Sequence, residues 1–171
     1  MQDILIREIR KEDDPAVEKI IRDCLIEYGA DHEGTAWADP DLCRFSEIYG
    51  REDRRYWVAE VDGTVVAGVG IGPLEGEICE LQKMYCRKEY RSQGISGRLL
   101  NTALQFARLH YAGCYLETLP NMTEAQRFYE AHGFRRTEKI CGNTGHTACD
   151  VRYLLSFRTE GKNGTILPEI Q

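Results

Sequence analysis

No apolar stretch in the sequence approaches the roughly 20 residues that a membrane-spanning helix needs, so no membrane partner is expected. The opening Met1-Gln2-Asp3 carries no basic segment followed by an apolar block. No secretory leader is therefore expected, and a cytoplasmic location is the expectation. Positive charge is in the minority: 22 Lys and Arg stand against 28 Asp and Glu, a formal net charge of -6. That balance argues against a nucleic-acid partner. There is no Gly-x-x-x-x-Gly-Lys-Ser/Thr sequence, which counts against a general nucleotide-phosphate binder. Internal repeats, low-complexity tracts and linkers are also missing. One domain over 1–158 with a polar tail over 159–171 is expected.

Paired Cys-x-x-Cys spacing is absent too. The seven cysteines are odd in number and irregular in spacing, and several fall inside apolar strand-like runs. Buried reduced thiols fit that pattern better than a disulfide framework. Cys141, His146 and Cys149 lack a fourth ligand, so no metal is expected.

What is present alternates between strand and helix patterns. Ile4 to Arg10 reads as a first strand. Asp13 or Asp14 caps a helix with Pro15 in its first turn, its stripe made of Val17, Ile20, Ile21, Cys24, Leu25 and Tyr28, and Gly29 stops it. A short helix over Asp41 to Tyr49 follows, then a solvated charge run at Arg51 to Arg55. Tyr56 to Val61, the turn Asp62-Gly63 and Thr64 to Ile71 form a hairpin, broken by Gly72-Pro73. Glu77 to Cys86 is the next strand. Ser96 to Tyr111 is a helix ended by Gly113, and Cys114 to Leu119 a strand stopped by Pro120. Thr123 caps a helix to His132, with Gly133 after it. Phe134 to Lys139 and Ala148 to Phe157 are the last strands. The order β-α-(α)-β-β-β-α-β-α-β-β predicts an α/β sandwich around a mixed sheet.

The stretch Arg91-Ser92-Gln93-Gly94-Ile95-Ser96-Gly97-Arg98 joins a strand to a helix. Such a turn leaves backbone N–H groups unpaired at the positive end of the helix dipole. Gly94 and Gly97 let a ligand approach the backbone, and Arg91 and Arg98 add charge, which together suit a phosphate or pyrophosphate.

Two blocks carry a resemblance. Arg91-x-x-Gly94-x-Ser96 follows the strand Leu81 to Cys86, and Phe128-Tyr129-Glu130-x-x-Gly133-Phe134 stands downstream with Ala125 before it. In this order they resemble the GNAT superfamily of acyl-CoA-dependent N-acetyltransferases, over about Tyr56 to Phe134. Ser96 departs from the small Gly or Ala usual at that position. The resemblance implies a mixed, mostly antiparallel, six- to seven-stranded sheet flanked by helices and splayed at its central strands. It implies acetyl-CoA as co-substrate, with the diphosphate on the turn and the pantetheine arm against the main chains of Met84, Tyr85 and Cys86. Asn121 is expected to touch that arm, although its register is one residue off the usual one. Tyr129 matches the tyrosine that protonates the departing thiolate, and its alternative is an amphipathic core tyrosine.

Glu80 matches a glutamate that takes the amine proton through water; the alternative is a salt-bridged strand carboxylate, with Glu77 the reserve base. Strand alternation groups Glu80 with Gln82 and Met84 on one face, and Glu77 with Leu81 and Tyr85 on the other. The Tyr85 amide is the expected oxyanion donor. Glu117 either holds the acceptor amine or caps the next helix. His146 and Asp150 fall where the last loop and strand face the acceptor, and Tyr28, His32 and Trp37 are expected to line its pocket. The function implied is acetyl transfer to a primary amine of a small molecule, by direct attack in a ternary complex. The alternative is a non-catalytic acyl-CoA-binding sensor on the same scaffold. Dimers are common in the family, so a homodimer is compatible.

Overall fold

The computed structural model describes residues 2–157, and the tail expected over 159–171 lies outside the described residues. The elements are β1 (Ile4–Glu8), α1 (Asp14–Glu27), α2 (Phe45–Ile48), β2 (Arg55–Val61), β3 (Thr64–Glu75), β4 (Ile78–Cys86), α3 (Ile95–His110), β5 (Gly113–Thr118), α4 (Thr123–Ala131), β6 (Arg135–Arg136) and β7 (Val151–Ser156). They build a seven-stranded sheet in the order β1-β2-β3-β4-β5-β7-β6. Among the described residues β4 and β5 run parallel, and the other neighbouring strands pair antiparallel.

Local chemistry explains most of this. Asp62 (φ 49°) and Gly63 (φ 82°) are both left-handed, as a two-residue hairpin turn between twisted strands requires. β2 is buried on both faces because each face is covered by helices. Trp57, Ala59 and Val61 point into one core with the α3 stripe Ile95, Leu99, Leu100, Ala103 and Ala107. Tyr56 and Val58 point into the other, with Val17, Ile20, Ile21, Cys24 and Leu25 of α1. Fully burying an aliphatic side chain such as Leu99 or Leu100 contributes about 2 kcal/mol, which is what holds α3 on the sheet.

Several local expectations are corrected. Gly72-Pro73 does not end β3: Gly72 pairs with Glu80 and Pro73 with Cys79, and at this end of the strand the register slips after Pro73. The strand expected over Phe134 to Lys139 shrinks to Arg135–Arg136. Neither Asp13 nor Thr123 makes a side-chain cap. Asp13 instead takes the Arg7 guanidinium, and Asp14 accepts from the Ser46 amide at 2.9 Å.

The departure that matters for function lies in β4. Gly70 pairs with Gln82 and Gly68 with Tyr85, so Val69 alone opposes both Lys83 and Met84. This is a β-bulge, and Lys83 takes a left-handed φ of 51° within it. The extra residue inverts the alternation. Leu81, Met84 and Cys86 pack toward the α3 core, while Tyr85 joins the α1 core. Met84 therefore does not share a face with Glu80 and Gln82, as simple alternation had it, and Tyr85 does not share one with Leu81.

Candidate active site

β4 and β5 pair over only three positions, Ile78↔Gly113, Cys79↔Cys114 and Glu80↔Tyr115. Beyond Glu80 they diverge: β5 continues along β7 as far as Thr118↔Val151, while β4 follows β3 through its bulge. The gap leaves the β4 edge from Met84 to Cys86 without a strand partner on the β5 side.

Two cavities flank this gap. The larger, about 470 Å³, is lined by Tyr85 and Cys86 of β4, Gly94, Ser96 and Gly97 at the start of α3, and Phe128 and His132 of α4. A smaller one, about 60 Å³, is lined by Glu80, Gln82, Lys83, Glu117, His146 and Cys149 among others. Met84, Tyr85, Met122 and Tyr129 form a wall common to both.

The larger cavity ends on the α3 turn. Gly94 is left-handed at φ 80°, and the Arg98 amide is the first taken up by the helix, donating to the Gly94 carbonyl at 3.2 Å. The amides of Ile95, Ser96 and Gly97 precede it and have no intrahelical acceptor. A Cβ added at Gly97 would meet only His132 Nε2, at 3.7 Å, so this backbone is open to the cavity. Ile95 sends its side chain into the core. Gln93 donates from Nε2 to the Glu89 carbonyl, bracing the turn. Ser92 lines both this cavity and an adjoining one that also holds Tyr28, Lys88, Arg91 and Asn121.

Arg91 is engaged rather than free. Its Nη1 and Nη2 donate to the two Glu27 oxygens at 2.8 Å each, and its Nε donates to the Cys86 carbonyl at 3.0 Å. The Glu27 hydrogen bond, opposed by partial burial, raises the Arg91 pKa and keeps it charged. The Cys86 carbonyl also accepts from the Cys24 thiol, so of the three residues expected to meet a pantetheine arm it already has partners. Arg98 turns away, its guanidinium donating to the Ile4 carbonyl at 3.1 Å.

In the smaller cavity charges converge. Lys83 Nζ lies 2.6 Å from Asp39 Oδ2, and His146 Nε2 lies 2.9 Å from the same oxygen. Burial pushes the Asp39 carboxyl up, but the His146 hydrogen bond and the Lys83 charge outweigh it and leave it lowered. Glu80 is raised: burial dominates, Glu117 adds to it, and the Gln82 hydrogen bond, Lys83 and His146 oppose it. Glu117 accepts from the Tyr115 hydroxyl and from the Thr144 hydroxyl, both at 2.7 Å. Burial pushes the Cys149 thiol up to about 11, so it is held as the neutral thiol.

Tyr129 is only 8% exposed, its ring packed against Phe128, Phe134 and Tyr153. Its hydroxyl has no hydrogen-bond partner among the described residues, and burial raises its pKa so that it keeps its proton.

The expected site residues thus divide. Glu80, Glu117, His146 and Tyr129 gather at the smaller cavity. Tyr28 belongs to the other side, lining the larger cavity under Arg91. His32 is exposed, its Nδ1 beside the Glu33 carbonyl, and Trp37 stacks under Arg22 at 4.8 Å; neither lines the cavities described above. Asn121 donates to the Tyr28 carbonyl at 2.9 Å in the adjoining outer cavity. Glu77 sits before β4, at the end of the sheet opposite the gap, beside Tyr111 and Ala112. Asp39, Gln82 and Lys83 are functional candidates that no local pattern marks. Among the described residues no group of three or more His, Cys, Asp or Glu is placed to hold a metal. Nor is any described helix long and apolar enough to cross a membrane.

A mixed sheet that splays beside a Gly-turned helix start is the architecture that the resemblance in the sequence implies. The comparisons narrow the class. The acetyltransferase (GNAT) domain model matches residues 52–136. An uncharacterised N-acetyltransferase of Escherichia coli (strain K12), YjgM, is 39% identical over 158 residues, covering 90% of this chain and 95% of that one. In structure, a GNAT-family acetyltransferase of Staphylococcus aureus superposes with a TM-score of 0.80 at 21% identity, covering 91% of this chain and all (100%) of that one. The yncA protein of Salmonella typhimurium, solved with its cofactor acetyl-CoA, has a TM-score of 0.71 at 16% identity over 96% of this chain and 99% of that one. The chain belongs to the GNAT superfamily of N-acetyltransferases.

Proposed function

We propose that this acetyltransferase moves an acetyl group from acetyl-CoA to a primary amine of a small molecule, by direct attack in a ternary complex. The observation that carries this is the wall shared by the two cavities. Tyr129 stands in it, with the open helix turn on one side and Glu80 on the other. The larger cavity fits the co-substrate chemically: first-turn amides and cavity-facing Gly97 suit a diphosphate, and the β4 edge that has no strand partner on the β5 side suits a peptide-like arm. The Salmonella fold relative holds acetyl-CoA.

Acetyl-CoA supplies the acetyl group as a thioester. Glu80 takes a proton from the amine through water, and its raised pKa brings it closer to the working range of a general base. The Tyr85 amide is the donor this reading assigns to the carbonyl oxygen as negative charge grows there. A C–N bond forms, the C–S bond breaks, and Tyr129 gives its proton to the departing sulfur. The elevated thiol of Cys149 disfavours it as an acyl carrier, which supports direct attack over a covalent route. Release of free thiol from acetyl-CoA with a panel of amino acids, polyamines and aminated antibiotics tests this reading. Thermal stabilisation by acetyl-CoA with no thiol release for any amine would replace the enzyme with a binding module.

A further inference from the structure

We propose that Gln82 and Tyr49 form a two-step hydrogen-bond relay that orients the Glu80 carboxylate and holds it ionised, making them positioning residues for acetyl transfer. This rests on Glu80 acting as the base. Gln82 Nε2 donates to Glu80 Oε1 at 2.6 Å, and the Tyr49 hydroxyl donates to Gln82 Oε1 at 2.7 Å. The two bonds fix the amide's orientation. With the phenol donating to the amide oxygen, the NH2 group must face the carboxylate. The flipped amide would set its oxygen against an ionised Glu80.

The surroundings keep the relay in place. Tyr49 is 5% exposed, its ring in edge contact with Phe45 at 5.3 Å and tilted on Tyr56 at 5.2 Å. Burial raises its pKa, so it remains a donor. Two glycines of β3 make the room. A Cβ at Gly70 would meet the Tyr49 ring at 2.9 Å, and one at Gly72 would meet Gln82 Oε1 at 2.8 Å. Gly72 is therefore a place from which the amide can be pushed without altering either partner.

Other groups act on Glu80 as well: Lys83 on its own strand, His146 from the last loop and Glu117 on β5 by charge, and Cys149 beside His146. Tyr49 approaches from the end of α2 and Cys114 from β5. Apart from Tyr49, itself a member of the relay, none of these is hydrogen-bonded to Gln82, so a shift seen on substituting Gln82 reads the relay.

Two readouts separate the relay from the base assignment. Carboxyl-carbon NMR titration, with the Glu80 resonance assigned by Glu80→Gln, follows the carboxylate with no substrate present. Losing a hydrogen bond to the charged form in Gln82→Met moves the Glu80 midpoint up by about one pH unit. Tyr49→Phe and Gly72→Ala move it the same way by less. The acid limb of kcat/KM, measured by thiol release with the best amine of the panel, follows with the alkaline plateau kept. An unmoved midpoint in Gln82→Met and Gly72→Ala would overturn the relay, as would a rate loss equal at every pH. An acid limb that survives in Glu80→Gln would instead remove Glu80 as base and take the catalytic role of the relay with it.

Discussion

The Tyr56 hydroxyl, reaching from β2 across β3, donates to the carbonyl of Lys83 at 2.9 Å and holds the one residue of β4 that turns left-handed. A non-glycine residue at positive φ persists only where its surroundings over-determine it. Here the Lys83 ammonium is bound by Asp39 and its carbonyl by Tyr56, whose ring lies over Gly68 and Gly70. A Cβ at Gly68 would meet that ring at 2.6 Å. Tyr56→Phe removes the donor and leaves a carbonyl unpaired, so urea unfolding should show a loss of about 1–3 kcal/mol. Acetyl-CoA binding should weaken with it, because the bulge shapes the open edge of β4. Wild-type stability and affinity in Tyr56→Phe would mean that the bulge holds itself.

Tyr129→Phe isolates proton donation from packing. The ring, not the hydroxyl, makes the contacts with Phe128, Phe134 and Tyr153. The variant should keep its thermal stabilisation by acetyl-CoA while turnover falls by about 10²-fold or more, the usual scale for a lost general acid. Unchanged turnover would reassign Tyr129 to the core.

What was legible beforehand follows from how local each signal is. The Asp62-Gly63 hairpin, the Gly94 turn and the α3 stripe are patterns within a few residues, and each stands where expected. The bulge at Lys83 is not local. It depends on Gly68 and Gly70 of β3 admitting Tyr56 of β2 to reach β4, a relation among three strands. For the same reason the side-chain faces of Met84 and Tyr85 come out opposite to simple alternation. Asp39 joins Lys83 and His146 across 107 residues of chain from the latter, so no spacing rule announces it. Trp37 and His32 lie outside the linings of the two cavities, because aromatic and polar character says nothing about direction. The Arg98 side chain likewise folds back on β1, a direction no sequence pattern gives.

The two glycines of the turn should respond differently to substitution. Gly94 sits at φ 80° with nothing within 4 Å of an added Cβ, so Gly94→Ala incurs backbone strain alone. A stability loss of about 1–2 kcal/mol is expected, with weaker acetyl-CoA binding as the turn relaxes. Gly97 is helical and faces the cavity, and Gly97→Val puts two methyl groups there. Stability should hold while KM for acetyl-CoA rises at least about tenfold, since a steric cost of about 1.4 kcal/mol suffices. Thermal melts beside initial rates check both; equal behaviour of the two variants would argue against a ligand on this turn.

Away from the site, Arg7 and Asp13 set how the fold responds to acid. Arg7 donates to both Asp13 oxygens, at 2.7 and 3.0 Å, and to Glu60 at 2.9 Å, while the Arg10 amide adds a bond of 2.7 Å to Asp13. Burial alone would raise the Asp13 carboxyl; the Arg7 and Arg10 hydrogen bonds win, and it is lowered. A lowered carboxyl contributes stability that is present above its unfolded value of about 4 and is lost as pH falls through its folded value. Arg7→Met strands a carboxylate that is 5% exposed and should cost about 3 kcal/mol near neutral pH. In that variant burial is opposed only by Arg10, so the Asp13 carboxyl moves up and the stability it contributes at neutral pH shrinks. Urea midpoints of the two proteins should therefore converge on acidification. A gap that stays constant down to full protonation would show that Arg7 acts through packing of its aliphatic stem and not through Asp13.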